Sequence, residues 1–428
     1  MKPNTQTFDI CIVGYGPTGG TLANLIAQCG LSVVVIEREH QMYQLPRAVH
    51  FDGETMRVFQ SIGIADQLSK KVRINPGMRF VDQQKSVILN WPRPQEIGPQ
   101  GWHASYRLHQ PDLEQLLREK LSSYVNATVM TDTEVVAVIE GSESVEVVCR
   151  RAIDASEIVV NTKYVVGCDG ANSLVRRLIG SGIEDLGFKE KWLVVDLLLK
   201  RERPDLGDHS IQFCDPIRPM TYCRNPGNRR RWEITMLEGE TDEDITQSDR
   251  IWKLLSPWIT ADDADLERKA VYTFKSVLAD KWRKGRLIIA GDAAHLTPPF
   301  MGQGMCAGIR DAANLAWKLV LRVNGDANDG ILNSYQQERA PNVREFIETA
   351  IRLGGLINTM DGEKAIEKSH STSNGAARMS SLLPPLGVSN LDGLISGSSP
   401  HSGSLFSQPI LRNGKRLDDE IGYSPVLI

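Results

Sequence analysis

The sequence predicts an α/β fold in which a nucleotide-binding domain is interrupted by a β-rich domain, and three observations carry that prediction. FDICIVGYGPTGGTLANLIAQCGLSVVVIERE runs strand, glycine turn, helix, strand within about thirty residues, the βαβ pattern of a parallel sheet. From about residue 186 to 275 the composition changes to strands with one wet face, as antiparallel sheets have. RLIIAGD, ending at residue 292, then returns to the buried, parallel type of strand. The expected division is therefore residues 1–72, 106–185 and 276–350 for the discontinuous nucleotide-binding domain, and 73–105 with 186–275 for the β-rich substrate domain. Residues 351–428 form a C-terminal helix and extended tail.

Each element has a local reason. FDICIVGYG is a first strand running into a glycine turn: its apolar run is too short, and lacks the cleavage site, for a signal peptide. GETMRVFQSIGIADQL, 53–68, is helical; 73–105, rich in Trp, Pro and Gly, is extended and leaves the first domain. PDLEQLLREKLSSY resumes helical periodicity, strand-like runs follow at 127–150 and 157–161, and KYVVGCDG is an apolar strand. WLVVDLLLK, HSIQFCD, PMTYCR and RRWEITML read as antiparallel strands, and DEDITQSDRIWKLLSPW as an acidic helical piece. On the helix 303–323, Ile309, Ala313, Ala316, Val320 and Val323 recur at three- and four-residue steps and predict one apolar face. Another helix is expected near 329–353, and the chain turns Ser-, Gly- and Pro-rich after 370.

Bulk properties narrow the function. With 428 residues the chain can bury a large core. Net charge is −4 with both signs mixed throughout, which does not resemble the basic stripe of a nucleic-acid binder. The seven cysteines are scattered and never spaced as CxxC, so they read as thiols in a reducing compartment. No run of about 18 apolar residues exists to span a membrane, and a cytoplasmic protein is expected.

Gly14-Tyr15-Gly16-Pro17-Thr18-Gly19 is a GxGxxG placed directly after a strand and before a helix. Such glycines allow a tight turn and the close approach of a pyrophosphate to helix amides that favour negative charge. Glu37, with Arg38 beside it, ends the second strand, where an acidic side chain can bond a ribose 2′-OH. This loop alone does not separate NAD from FAD. Asp169-Gly170 and Gly291-Asp292 each follow an apolar strand, at the carboxyl ends where open α/β sheets bind ligands, although either alone reads as a turn former. A second glycine-rich helix entry follows at Gly302-Gln303-Gly304, after Pro298-Pro299.

Taken in order, this set resembles the class A flavoprotein aromatic hydroxylases, relatives of 4-hydroxybenzoate hydroxylase and phenol hydroxylase. Within that family the wording of PRAVHFDGETMRVFQSIGI, QFCDPIRP, LEGETDED and GDAAHLTPPFMGQGMCAGIRDAANLAWKL is most similar to the 3-(3-hydroxyphenyl)propionate hydroxylases, over roughly residues 8 to 350. The resemblance implies a Rossmann-like FAD-binding domain of the 4-hydroxybenzoate-hydroxylase type with the β-rich substrate domain inserted. It places Gly14, Gly16, Pro17 and Gly19 at the ADP part of FAD, Asp169 near the pyrophosphate and the NAD(P)H path, and Gly291-Asp292 at the ribityl chain. Arg47 of PRA, Arg107 and Gln110 fall against the cofactor. Two departures stand out: Cys306 replaces an Asn that follows GQG-x in several relatives, and the chain ends at 428 where relatives often carry a thioredoxin-like domain.

The implied activity is hydroxylation of a phenolic aromatic acid with O2 and NADH or NADPH, through a flavin C4a-hydroperoxide. Ordinary side chains cannot transfer oxygen to an arene, so a cofactor must supply that chemistry. The protein then has to provide a dry pocket, positive field at the reduced ring and a partner for the phenol. The amides of Gly304, Met305 and Cys306 suit the second need, with Pro299 as a rigid wall. His50 and Asp52, after PRA, are the candidates for the third, His50 having a suitable ordinary pKa. Phe213 and Tyr222 are candidates to line the pocket, and Arg218, Arg224 and Arg231 to meet a substrate carboxylate, while His295 is expected to bond backbone in its turn. Hydroxylation of a larger polycyclic or polyketide aromatic and a redox module without hydroxylase activity are the alternatives, and a homodimer is compatible with the sequence. A dehydrogenase has no need of the later motifs. The WxWxIP of halogenases and the FxGxxxHxxxW of Baeyer–Villiger enzymes are missing.

Overall fold

A computed structural model describes residues 6–359, 377–387 and 401–423. Strand Gln6–Val13 lies at the centre of a parallel layer, between Val33–Ile36 on one side and Glu157–Gly167 on the other. Ala127–Met130 extends one edge, and Leu287–Ile289 joins Glu157–Gly167 on the other. Apolar residues on both faces of these strands explain why they read as continuous hydrophobic runs: Ile10, Cys11, Ile12 and the whole of Val33–Ile36 are buried. The hairpin Thr133–Glu140 with Val145–Arg151 adds an antiparallel extension to the first half of Glu157–Gly167.

Helix Pro17–Gln28 packs on this sheet and against helix Gly304–Asn324. The latter is buried more widely than one stripe. Cys306 to Ala312, Leu315, Ala316, Lys318 and Leu319 are buried, whereas Ala313, Val320 and Val323 are only partly so. The helix is enclosed between Pro17–Gln28 and the long helix Asn333–Thr359, so its apolar surface wraps most of its first turns. The helical region after 52 divides into Gly53–Ile62 and Ala65–Ser69, because Gly63 adopts φ +83 and caps the first piece.

The second sheet has nine strands. Its backbone is the antiparallel set Ala264–Ala279, Ile183–Leu199, Arg229–Thr235, Met220–Arg224 and Ser210–Phe213, continued by Gly77–Val81 and Val87–Pro92. The 16-residue strand Ala264–Ala279 carries no element signal of its own in the sequence. Its partner Ile183–Leu199 has 17 residues and is far longer than the apolar core WLVVDLLL within it. A small three-stranded sheet joins His50–Asp52, Ser105–Arg107 and Arg73–Ile74 between the two layers.

Among the described residues, no helix is long and apolar enough to cross a membrane. All seven cysteines are free thiols.

Candidate FAD and substrate site

A cavity of about 650 Å³ opens between the two sheets, within the range of small-molecule sites. Two helix N-termini line it: Gly16, Pro17 and Thr18 from one side, Gly302, Gly304 and Met305 from the other. Neither helix has a side-chain cap, so the first-turn amides of both keep the hydrogen-bonding capacity and partial positive charge that attract an anion. A Cβ built on Gly16 or on Gly304 meets nothing within 4 Å, so both positions face open space.

The remaining glycines serve packing. A Cβ on Gly14 would strike the carbonyl of Cys168, and one on Gly19 the carbonyl of Gly14. Gly308 and Gly291 pinch Thr18 between them: a Cβ on Gly308 would collide with Thr18 Oγ1, and one on Gly291 would lie 2.7 Å from the same atom. Two motifs almost three hundred residues apart are thus locked around one threonine.

Asp292 projects its carboxylate into the cavity, and no described residue hydrogen-bonds to it. Although open to the cleft, it is crowded by protein, and this desolvation raises its pKa against the pull of His295 and Arg47. Arg47 also lines the cavity; its guanidinium lies 4.9 Å from the Tyr43 ring centroid and has no carboxylate partner among the described residues. Gln110 fixes this segment, its Oε1 accepting from the Arg47 and Ala48 amides at 3.0 and 2.7 Å. Asp311, seven residues into the second helix, holds the Gly291-Asp292 turn: it accepts from the Gly291 amide at 3.0 Å, His295 Nε2 at 2.7 Å and Arg339 Nε at 2.8 Å. Burial would raise the Asp311 pKa, but His295 and Arg339 bring it down to about 2. The partner of His295 is therefore this carboxylate and not the backbone of its turn.

Several expected residues lie outside the cavity wall. Glu37 accepts from the Tyr15 amide at 2.7 Å and the Glu39 amide at 3.0 Å, bracing the glycine loop, and Arg38 is exposed and paired with Glu39. Asp169 caps helix Leu174–Ile179 through the Leu174 and Val175 amides, leaving Oδ1 buried without a partner, while its neighbours Cys168, Gly170 and Ala171 reach the wall. The Cys306 side chain is fully buried, its thiol pushed up to about 12 by desolvation and the nearby Asp52 charge.

His50 is in the wall, with both ring nitrogens engaged: Nδ1 is 3.1 Å from the Gly302 carbonyl and Nε2 2.8 Å from Ser105 Oγ. A carbonyl only accepts, so Nδ1 carries the hydrogen and Nε2 accepts from the Ser105 hydroxyl, which in turn accepts from Asn75 Nδ2 at 2.9 Å. Desolvation, with the charges of Arg107 and Arg93, pulls the His50 pKa down to about 3. Asp52 faces the other way. Its Oδ1 caps helix Gly53–Ile62 at the Thr55 amide, 3.0 Å, and its Oδ2 pairs with Arg310. Arg310 also bonds Glu54 at 2.5 Å and Gln303 Oε1 at 3.0 Å, which places Gln303 in this cluster and not in the cavity wall. Burial would raise the Asp52 pKa, but Arg310 and the Thr55 amide hold it well below the usual carboxylate range.

The substrate sheet presents the alternate residues to those expected. Thr221 and Cys223 line the cavity, with Val194, Tyr272 and Phe274, whereas Tyr222 packs on Trp232 at 4.8 Å behind the sheet. Phe213 is on that far face too, 4.9 Å from Trp258. Arg218 is held by Glu240, and Arg224 pairs with Asp208 outside the wall. Arg231 does reach the cavity, but Asp196 takes it at 2.7 and 2.9 Å and the carbonyls of Pro46 and Arg47 take its other hydrogens. Two cations in the wall keep buried nitrogens without a partner among the described residues: Arg107 at Nε, and Arg268 at Nε and Nη2. Arg107 was expected here and donates to Ser210. Arg268 and Glu233 carried no motif, and only strand alternation pointed to their face.

These features fit FAD: one open helix N-terminus for its central pyrophosphate, a second for the ring that gains negative charge on reduction, and an orphan carboxylate for the ribityl chain that joins them. The comparisons agree. The sequence model of the FAD binding domain family matches residues 7–350. The chain is 39% identical over 365 residues to a probable NADH-specific resorcinol 4-hydroxylase of Rhodococcus jostii, covering 85% of this chain and 68% of that protein. It is 35% identical over 359 residues to a 3-(3-hydroxy-phenyl)propionate/3-hydroxycinnamic acid hydroxylase of Burkholderia cenocepacia, covering 83% and 65%. The chain thus spans about two thirds of the length of these relatives. Among solved structures, an aklavinone-11 hydroxylase in complex with FAD and aklavinone superposes with a TM-score of 0.78 at 21% identity, over 95% of this chain and 78% of that one. A p-nitrophenol 4-monooxygenase from Pseudomonas putida gives 0.76 at 21%, over 85% and 92%. The fold, the cofactor-shaped cavity and the match over residues 7–350 together make this chain a member of the FAD binding domain family.

Proposed function

We propose that the chain is an FAD-dependent monooxygenase that hydroxylates a small phenolic aromatic, of the 3-(3-hydroxyphenyl)propionate or resorcinol class, using NADH or NADPH and O2 in the cytoplasm. The observation that carries this reading is the single cavity joining two uncapped helix N-termini and the orphan carboxylate of Asp292 to an apolar wall from the substrate sheet. Similarity to two kinds of phenol hydroxylase supports the substrate class.

Bound FAD supplies electron transfer from nicotinamide and the activation of O2. In this reading the amides of Gly16, Thr18 and Gly19 and the Arg47 guanidinium would hold the pyrophosphate, Asp292 would accept from the polyol, and the amides after Gly302 would face the flavin ring. The ring of the substrate lies against Val194, Tyr272 and Phe274, whose apolar surfaces exclude water. His50, whose pKa burial holds down to about 3, keeps both ring nitrogens on Gly302 and Ser105 and holds them in place. Glu233, whose pKa burial raises against the Arg231 charge, is the wall carboxylate left to accept the phenolic proton.

The test is stopped-flow flavin reduction by NADH and by NADPH in the presence of resorcinol, 3-(3-hydroxyphenyl)propionate and related phenols, with product identification. A phenol that accelerates reduction and gains one hydroxyl is expected. If none does either, the hydroxylase reading fails.

A further inference from the structure

A second cavity, about 630 Å³, lies behind the first. The two share a partition made of side chains: His50, Trp91, Arg93 and Met301 line both. The second is aromatic and aliphatic in character, with Trp102, Phe346, Leu382, Pro384 and Phe406 in its wall. Its roof comes from residues 381–386 and 403–407, beyond the residues that the family match covers. That roof is tied down: Asn342 Nδ2 donates to the Pro384 carbonyl at 2.6 Å, and the Gly387 and Gln408 amides donate to Glu338 and Pro99 carbonyls at 2.8 and 2.7 Å.

Polar atoms await a partner there. Trp91 is 2% exposed, and its indole N–H, in the shared partition, has no acceptor among the described residues. Asn314 Oδ1, in the wall of the second cavity, is buried and accepts from no described residue. An unmet donor and an unmet acceptor beside aromatic faces match a ring that carries a hydroxyl, which both donates and accepts. Two of the side chains in the partition are long and unbranched: Met301, with its flexible thioether chain, and Arg93, which stacks on the Trp91 ring, 4.0 Å from the centroid, donates to Ser381 and feels the Asp52 charge.

We propose that the second cavity is a binding chamber for a small phenolic ring compound, from which the substrate passes Arg93 and Met301 into the cavity beside the cofactor. The passage rests on the hydroxylase reading above; the binding site does not. Its physical use is to bring the ring in by a door separate from the one the nicotinamide needs, so that loading substrate does not open the flavin to water.

The experiment compares the FAD-loaded full chain with Ser404→Phe and Ala313→Phe, which add bulk at two residues that line the second cavity and not the first. Equilibrium dialysis with resorcinol and with 3-(3-hydroxyphenyl)propionate should find two molecules per wild-type chain and one per variant chain. Association detected by the flavin absorbance change should slow about tenfold in both variants, with kcat at saturation unchanged. Ser404 is on the exposed roof, so that variant folds even if the packed helix position of Ala313 does not accept Phe. One molecule per wild-type chain, or wild-type association in a folded variant, overturns the chamber. Two bound molecules with no hydroxylated product leave the chamber standing and overturn the hydroxylase reading; turnover with one-to-one binding does the reverse.

Discussion

The lock between the two glycine motifs makes a quantitative prediction at Gly308. In Gly308→Ala the new Cβ would sit inside van der Waals contact with Thr18 Oγ1, with Gly291 Cα 3.2 Å away on the other side. Thr18 is β-branched and sits in the first turn of helix Pro17–Gln28, so it has little rotamer freedom with which to yield. Overpacking of this kind costs about 1–3 kcal/mol, while replacing a helical Gly by Ala returns about 0.5–1 kcal/mol. The net expectation is about 0–2.5 kcal/mol, centred on about 1.2, and because the helices must part at the cofactor end, FAD affinity should fall roughly 8-fold and at most about 70-fold. Adding Thr18→Ala removes the colliding oxygen and should restore most of the loss, a coupling of about 1–2 kcal/mol in the double-mutant cycle. Gly304→Ala is the control: nothing lies within 4 Å of its Cβ, so stability of the flavin-free protein should hold or rise while FAD binding weakens. The assays are urea denaturation of flavin-free protein and fluorescence titration with FAD. If Gly308→Ala binds FAD as wild type does, or if the effects of Gly308→Ala and Thr18→Ala simply add, the two motifs are not locked together through Thr18.

Four further outcomes follow from the site. Asp292→Ala removes a charged acceptor worth about 1.5–3 kcal/mol, so FAD should bind roughly 10- to 100-fold more weakly; full flavin occupancy after gel filtration would refute its role. Asp52→Asn keeps the helix cap but leaves Arg310 with Glu54 and Gln303 alone, costing about 1–3 kcal/mol in denaturant with the rate per bound flavin unchanged; a lowered rate at unchanged stability would put Asp52 in the chemistry. Thr221→Val and Cys223→Leu should change KM for the phenol, whereas Tyr222→Phe should not, and a KM effect at Tyr222 alone would contradict the strand register. Because the His50 pKa falls from 6.5 to about 3 on folding, the unfolded chain takes up a proton that the folded chain refuses between those values. Stability is therefore full above about pH 6.5 and lost as the pH falls toward 3, by about 1.4 kcal/mol per pH unit at the steepest. In His50→Gln this part of the acid limb should be absent from denaturation curves taken across that window, and an unchanged limb would mean that His50 takes up its proton in the folded state.

What the sequence made legible follows from how local the signal is. The GxGxxG, Gly291-Asp292 and GQG segments each declare a strand end or a helix entry by composition, and the cavity joins parts of all three. The face of a strand is a one-residue question, and it was here that the reading slipped. Tyr222 and Phe213 looked like pocket aromatics, but the pairing of Ile211 with Tyr222 and Gln212 with Thr221 turns them to the far core. Thr221 and Cys223 had no chemical appeal in the sequence and are what the cavity meets. Charged residues were misread for a related reason, since pairing across hundreds of residues leaves no local trace. Arg231 is consumed by Asp196, Asp52 by Arg310 and Arg218 by Glu240, while Arg268, which carried no motif, keeps unpartnered nitrogens in the wall.

Asp311 explains why the second glycine motif is as long as it is. The Gly291-Asp292 turn must place a carboxylate in the cavity with no protein partner, which a buried turn would not hold unaided. Asp311 supplies the restraint from inside the adjoining helix, binding the Gly291 amide with the same Oδ2 that meets His295. Its charge is balanced by Arg339 on the following long helix, so the turn, the helix entry and the C-terminal helix form one unit. The residues between Asp292 and Asp311 are then the length of chain needed to leave the turn, pass the proline wall and complete two helical turns before the tie is made. A deletion or insertion within the helical part of that interval, from Gly304 to Asp311, would shift Asp311 off the turn by a helical rotation of about 100° per residue. Spacing, more than any single side chain, is what keeps Asp292 in the cavity wall.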